Sequence, residues 1–163
     1  MDDDTTLRRE LVRLLEGLDA RMTFDEAVAD FPDEAINDRA PNVSYTPWHI
    51  LEHLRITQRD ILDWVRQEGY VELDWPADYW PAEDAIADRQ QFDKTIAGFR
   101  EDNAALRAIV SDPATDVLAP IPGTPGHTVL REARVAADHN AYHIGEFAIL
   151  RQVMGTWPAN RPE

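Results

Sequence analysis

Apolar residues recur every three to four positions along most of the chain, which is the spacing of one face of an α-helix. The first such segment begins at Asp4 or Thr5, either of which can cap a helix, and it ends near Arg21. A short helical turn is predicted from Phe24 to Asp30, and a polar, proline-containing loop follows it. The pattern therefore predicts one long and one short helix near the N-terminus.

The remaining pattern predicts three further long helices, from Thr46 to about Gln67, from about Ala82 to Ser111, and from Thr128 to Met154. Threonine followed by proline at 46–47 is typical of a helix start, and glycine at 155 is typical of a helix end. No segment alternates apolar and polar residues over the length of a strand. We expect an all-α fold, an antiparallel four-helix bundle with a long connection between the first and second long helices that permits a crossover.

Composition and charge exclude several classes of function for this chain. With 163 residues, of which 44% are hydrophobic, the chain is expected to form a single domain over residues 1–163. Its 31 acidic and 16 basic residues give a net charge of −15, which disfavours binding to nucleic acid. The absence of cysteine excludes disulfides, thiolate metal sites and a cysteine nucleophile. A polar N-terminus and the lack of a bilayer-length apolar run predict a cytoplasmic protein without membrane contact.

Two histidines one turn apart, His139 and His143, occupy the apolar stripe of the last predicted helix. At about 100° per residue, both fall within roughly 20° of the centre of that stripe. Burying an unpartnered imidazole costs about 1–3 kcal/mol, so two adjacent ones imply a common partner. A metal ion is the simplest such partner, because neutral imidazoles at i and i+4 can direct their nitrogens at one point.

The second long helix supplies a third candidate ligand. His53 lies at the margin of its apolar stripe, about 100° from the centre, whereas His49 lies about 140° away and is expected nearer to solvent. His53 is therefore the better placed of the two to reach the last helix. Three neutral histidines leave a coordination position open, as catalytic zinc sites do. A site with His49 or a glutamate as fourth ligand is the alternative, and His127 is expected to be a surface residue at the helix start.

Three motifs in this order resemble the DinB-like superfamily. The first is W-x-x-x-x-H-L at residues 48–54, the second is G-x-T-x-L-R-E-A at residues 126–133, and the third is H-x-x-x-H-x-G at residues 139–145. The resemblance extends over essentially the whole chain. It implies a four-helix bundle, commonly a homodimer, that holds a divalent metal ion, zinc or nickel in several members.

Carried over to this chain, the metal ligands that the resemblance implies are His53, His139 and His143. Some relatives are thiol S-transferases that use bacillithiol or mycothiol, one branch isomerises maleylpyruvate, and others are described as hydrolases. The family name implies no DNA chemistry. The chain has Glu146 where many relatives carry glutamine.

Glu132 and Glu146 lie on the same face as the histidine pair, one toward each end of the helix. Each is a candidate catalytic residue, either as the acceptor that orients an imidazole or as a general base. An interhelical ion pair with Arg55 or Arg59 explains them equally well.

An aromatic cluster, Trp75, Tyr79 and Trp80, precedes the third long helix. It is interpreted as a hydrophobic plug at one end of the bundle, with a pocket wall as the alternative.

Three function hypotheses follow from these residues. The first is a metal-dependent enzyme that activates a thiol, as an S-transferase does, or water, as a hydrolase does, and acts on a small molecule such as a low-molecular-weight thiol. The second is a non-catalytic metal- or ligand-binding module. The third is an interaction protein of the stress response, for which a histidine cluster without metal is expected.

Overall fold

The computed structural model describes residues 2–159, and this part of the chain is all-helical. Five α-helices follow one another along the chain: α1 (Asp3–Glu16), α2 (Phe24–Val28), α3 (Pro47–Arg66), α4 (Arg89–Ser111) and α5 (Val129–Met154). Two 3₁₀ turns, Asp33–Ala35 and Ala77–Tyr79, lie in the connections. The described residues contain no β-strand, only an isolated bridge between Pro120 and Thr128. The prediction of an all-α fold is confirmed.

The predicted ends of two long helices are confirmed by their caps. Thr46 accepts a hydrogen bond from the backbone N–H of His49 and so begins α3 at Pro47. Thr128 caps α5 in the same way, and Gly155 ends it in the left-handed conformation, at φ 67°. These local signals also set the positions of the histidines along both helices.

Other predicted ends were wrong. The first helix begins at Asp3 and is capped by Asp2, not by Asp4 or Thr5. The first helix ends at Glu16 because Gly17 adopts φ 75° and its N–H bonds to the carbonyl of Arg13, 3.0 Å away. The third long helix begins at Arg89 rather than near Ala82. Its cap is Asp88. The helix does not extend further back, since the N–H and the carbonyl of Ala87 both pair with the side-chain amide of Asn37.

The helices do not all run antiparallel to their neighbours in the chain. Trp48 donates to Thr95 and, two to three turns further along both helices, Arg59 bonds Asp102, so α3 and α4 lie parallel. By contrast, α1 runs antiparallel to α4, because Arg8 bonds the carbonyl of Val110 at the end of α4. The expectation of an antiparallel arrangement is wrong for the pair α3 and α4.

Parallel neighbours need a connection that returns along their length. Here residues 67–88 make that return and lie against α3, where Asp60 accepts hydrogen bonds from Tyr70 and Tyr79 at 3.0 and 2.8 Å. The return connection therefore covers one side of α3 from its last turn back to its first. This is how residues near position 80 come to lie beside His53.

The buried apolar residues form two clusters. One packs α2 and the first halves of α3 and α4 against the second half of α5. The other packs α1 against the second halves of α3 and α4 and the first half of α5. No helix of the described residues is long and apolar enough to cross a membrane.

Candidate metal centre

Three histidine side chains converge between α3 and α5. Nε2 of His53 lies 3.2 Å from Nε2 of His143 and 3.1 Å from Nε2 of His139. The two histidines on α5 are one turn apart, and the third histidine comes from the facing helix. The predicted set of histidines is thus brought together as one group that can bind a metal ion.

His53 is held from two sides by the return connection. Its Nδ1 lies 2.8 Å from the carbonyl oxygen of Tyr79, and its ring stacks on that of Trp80 with centroids 4.0 Å apart and planes 4° apart. A carbonyl only accepts, so Nδ1 carries the proton and Nε2 carries a lone pair. The connection therefore determines both the tautomer and the ring plane of His53.

Glu146 orients His143 in a similar way. Its Oε2 lies 2.7 Å from Nδ1 of His143, and its Oε1 accepts a hydrogen bond from the hydroxyl of Tyr45. Nδ1 of His143 donates to this carboxylate, which leaves Nε2 as the free nitrogen of the ring. Burial and the bond to the Glu146 carboxylate raise the pKa of Tyr45 above its ordinary value, so the hydroxyl keeps its proton and stays a donor.

The short contacts at His53 Nε2 call for a cation. This nitrogen has a single lone pair, so at most one of its two contacts can be an N–H···N hydrogen bond. Protonating His143 would satisfy one contact and leave the other. A metal ion accepts all three lone pairs at once, and nitrogens bound at about 2.0–2.1 Å to a tetrahedral ion lie about 3.3 Å apart. The observed separations of 3.1 and 3.2 Å fit that arrangement.

Burial favours the neutral form of His53 and His139, which is the form that binds metal. It lowers the pKa of His139 to about 3, and the positive charges that His143 and His53 can carry lower it further. The pKa of His53 is also lowered, chiefly by burial, although its bond to the Tyr79 carbonyl opposes this. At neutral pH these two imidazoles are deprotonated and available as ligands.

A cleft of about 510 Å³ opens onto His143. Nine residues line it: Ser44, Tyr45, His49, Trp80, Pro81, Glu83, Tyr142, His143 and Glu146. Tyr45, Trp80 and Tyr142 contribute three aromatic rings to its wall. A small molecule in this cleft would lie beside one of the three histidines.

A model of the DinB superfamily matches residues 7–147. The chain belongs to the DinB superfamily. No curated protein and no solved structure matches it. The matched segment contains all three histidines of the cluster and Glu146, so the resemblance inferred from residues 48–54 and 139–145 is confirmed.

Several residues that shape this DinB-superfamily site were missed or misjudged from the sequence. The carbonyl of Tyr79 and the hydroxyl of Tyr45 carry no signal in a helical pattern. The interpretation of Trp80 as part of a plug is wrong, because its ring stacks on His53 and lines the cleft. Trp75, assigned to the same plug, is 72% exposed.

His49 is buried, contrary to the expectation that it faces solvent. Only 3% of it is exposed, and its Nε2 donates to the carbonyl of Ala85 at 2.8 Å. The return connection covers the face of α3 that a single-helix projection had assigned to solvent. With Nε2 bonded in this way, His49 lies in the cleft wall and outside the group of three.

The buried face of α5 is rotated from the predicted one. Tyr142 and Val153, counted in the predicted stripe, are 69% and 60% exposed, whereas Asn140 and Arg151 are buried. Asn140 donates to Gln58 and Arg151 donates to the carbonyls of Ala27 and Ala29, so both buried polar groups are bonded. His139 and His143 consequently lie at the edge of the buried face, and His143 lines the cleft.

Glu132 lies two turns before His139 in another environment. Its carboxylate is bonded by His127 at 2.9 Å and by Arg131 at 2.6 Å, and it is not part of the three-histidine group. Its role in catalysis stays a prediction, and none of these contacts supports it. His127 is partly exposed just before the first residue of α5, close to its expected place.

The alternative for the two glutamates, an ion pair with Arg55 or Arg59, is wrong. Arg55 binds Glu52 at 2.7 Å, and Arg59 binds Asp63 and Asp102.

Proposed function

We propose that the chain binds one divalent metal ion through the Nε2 atoms of His53, His139 and His143 and is a metal-dependent enzyme. The convergence of the three Nε2 atoms beside an open cleft carries this proposal. When bound, such an ion lowers the pKa of a thiol or of water and so supplies a nucleophile near neutral pH. Zinc and nickel are the candidate ions, since both accept imidazole ligands.

The residues around His53 and His143 hold these two rings in place before anything binds. Tyr79 and Trp80 orient His53, and Glu146 orients His143. Ligands held in this way lose little freedom on binding, which favours affinity and a defined open position.

Glu146 is the residue that we propose moves a proton. Its carboxylate lines the cleft, and each oxygen accepts one hydrogen bond and has a further lone pair. We infer that Oε1 takes the proton of the incoming thiol or water. Tyr45 steadies this oxygen and remains protonated because its pKa is raised.

Thiol transfer is the preferred reaction and hydrolysis the second. Cobalt-loaded protein tests this choice, because the chain has no cysteine and any sulfur-to-cobalt absorption must come from an added thiol. We expect a band that saturates with 2-mercaptoethanol and is missing in His143→Ala. A spectrum of fully loaded protein that no thiol changes would contradict thiol transfer and favour hydrolysis.

A non-catalytic role has one observation in its favour. The three ligands come from two helices, so a bound ion would join α3 to α5. An apo-protein that merely melts at lower temperature supports this second candidate, whereas one that keeps its fold and loses an activity supports the enzyme.

We also infer that the four long helices, α1, α3, α4 and α5, form a bundle and that the chain is a homodimer. Contacts between these helices support the bundle. Ile149 and Val153, 62% and 60% exposed and one turn apart on α5, supply an apolar surface for a second copy. Light scattering tests this, and we expect Ile149→Glu to give monomers; a wild-type monomer would contradict it.

A further inference from the structure

The charged groups that line the cleft influence which charge a substrate can carry on the part that does not react. Glu83 and Glu146 line the cleft, together with the rings of Tyr45, Trp80 and Tyr142. None of the described residues that line it is a lysine or an arginine. A molecule inside therefore meets carboxylates and aromatic faces.

The two carboxylates are not neutralised from within the cleft. Glu146 is bonded by a histidine and a tyrosine hydroxyl, neither of which carries a permanent positive charge. Glu83 is at the exposed rim, where Arg39 approaches its carboxylate at 3.6 Å and also donates to its backbone carbonyl. Arg39 does not line the cleft, and an ion pair this exposed and this long neutralises Glu83 only in part.

The ion and the cleft wall favour opposite charges. A bound divalent cation attracts the reacting sulfur or oxygen as an anion. The remainder of the substrate shares the cleft with Trp80, Tyr142 and Glu83, which line it together with His143. There a positive group gains from the Glu83 carboxylate and from aromatic faces, whereas a carboxylate would face a like charge.

We propose that the cleft selects substrates whose non-reacting part carries a positively charged amine and discriminates against those with a carboxylate there. This inference rests on the proposed function, since it concerns the substrate of the same metal site. Glu83 and Tyr142 are the specificity-determining residues, because both line the cleft and neither bonds a metal-site nitrogen.

Three thiols that differ only in their distal group test the proposal: cysteamine, 2-mercaptoethanol and 3-mercaptopropionate. Each is titrated into cobalt-loaded protein at one pH, and its Kd is read from the sulfur-to-cobalt band. Thiol acidity differs among these probes, so the informative quantity is the ratio of the cysteamine and 3-mercaptopropionate affinities, compared between wild type and variant. Because wild type and variant are measured with the same thiols, the differences in thiol acidity cancel in this comparison.

We expect this ratio to fall about threefold in Glu83→Gln and about tenfold in Glu83→Arg, as Coulomb interactions near a protein surface allow. Tyr142→Leu should weaken cysteamine about twofold more than it weakens 2-mercaptoethanol, because a cation–π contact is lost. Glu101→Gln is the matched control: it removes one exposed carboxylate from α4, outside the cleft, and the ratio should stay at the wild-type value.

Two failures are distinguishable. If no thiol gives a band in loaded protein, the proposed thiol chemistry fails and the inference fails with it. If all three thiols bind but the ratio is the same in wild type and Glu83→Arg, or falls equally in Glu101→Gln, the selection by the cleft is overturned while the proposed function stands.

Discussion

Two histidine–glutamate pairs on or beside α5 have nearly the same local chemistry and different surroundings. In one, Nδ1 of His143 lies 2.7 Å from Glu146, and in the other Nδ1 of His127 lies 2.9 Å from Glu132. The exposed fractions of the side chains are reversed. His143 is 12% exposed and Glu146 28%, whereas His127 is 38% exposed and Glu132 7%. One pair thus buries its imidazole, and the other buries its carboxylate.

The neighbours of each pair explain the difference. At Glu132 a third group, Arg131, binds the carboxylate at 2.6 Å and neutralises it. At His143 the neighbouring groups are the imidazoles of His53 and His139, and the free Nε2 of His143 points at them. A histidine–carboxylate pair therefore indicates a metal site only when the other ring nitrogen meets further ligands. Where an arginine completes the group, the same pair stabilises a helix start.

The largest effect expected from this comparison concerns metal content. His139→Ala should lower the metal affinity more than about 100-fold, since changing only a partner of a ligand costs about 10–100-fold. His127→Ala should keep the full metal content, because that side chain bonds Glu132 and Arg131. Elemental analysis of untagged protein measures both. Full metal in His139→Ala, or loss of metal in His127→Ala, would contradict the assignment.

Substitutions of the two glutamates compare the same two pairs, with a smaller expected effect. Glu146→Gln should weaken metal binding about tenfold, because a neutral amide orients His143 less strongly than a carboxylate. Glu132→Gln should leave metal binding unchanged and destabilise the fold by about 1–2 kcal/mol through the loss of a charged hydrogen bond. Competition with a chelator gives the first quantity and urea unfolding the second. Equal metal affinities in the two variants would remove the distinction.

A smaller effect is expected in the pH dependence of the metal-free protein. The pKa of His139 is lowered from 6.5 to about 3 in the folded state, so the unfolded chain binds more protons between these values. The contribution of His139 to stability is fully present above about pH 6.5 and is lost as the pH falls toward 3. His53 acts in the same direction.

Urea unfolding of chelator-treated protein at a series of pH values measures this slope. We expect it to be shallower in His139→Ala and unchanged in His127→Ala, since the second variant leaves the cluster intact. A slope that His139→Ala leaves unaltered would show that the cluster is not what makes the apo-protein sensitive to acid.

Duplex DNA should bind to neither region. The net charge of −15 removes the electrostatic attraction that supports non-specific binding, and an arginine beside Glu132 is already paired. A mobility-shift assay at physiological salt should show no complex at micromolar protein. A salt-sensitive shift would contradict this.

Local signals made much of the architecture predictable. Caps at Thr46 and Thr128 and the glycine at 155 define α3 and α5 because each acts on backbone groups a few residues away. Given these helices, the spacing of His139 and His143 placed two nitrogens on one side of α5. The resemblance to the DinB superfamily, together with the position of His53 at the margin of its apolar stripe, identified the third nitrogen.

The sequence by itself determined the helices, the absence of thiols, the acidity and the three histidines. Only the tertiary structure decided that α3 and α4 run parallel, so that residues 67–88 return over α3. That return buries His49, sets the tautomer of His53 through Tyr79, and makes Trp80 a wall of the cleft. These features depend on contacts between residues distant in the chain, and helical periodicity describes only one helix at a time.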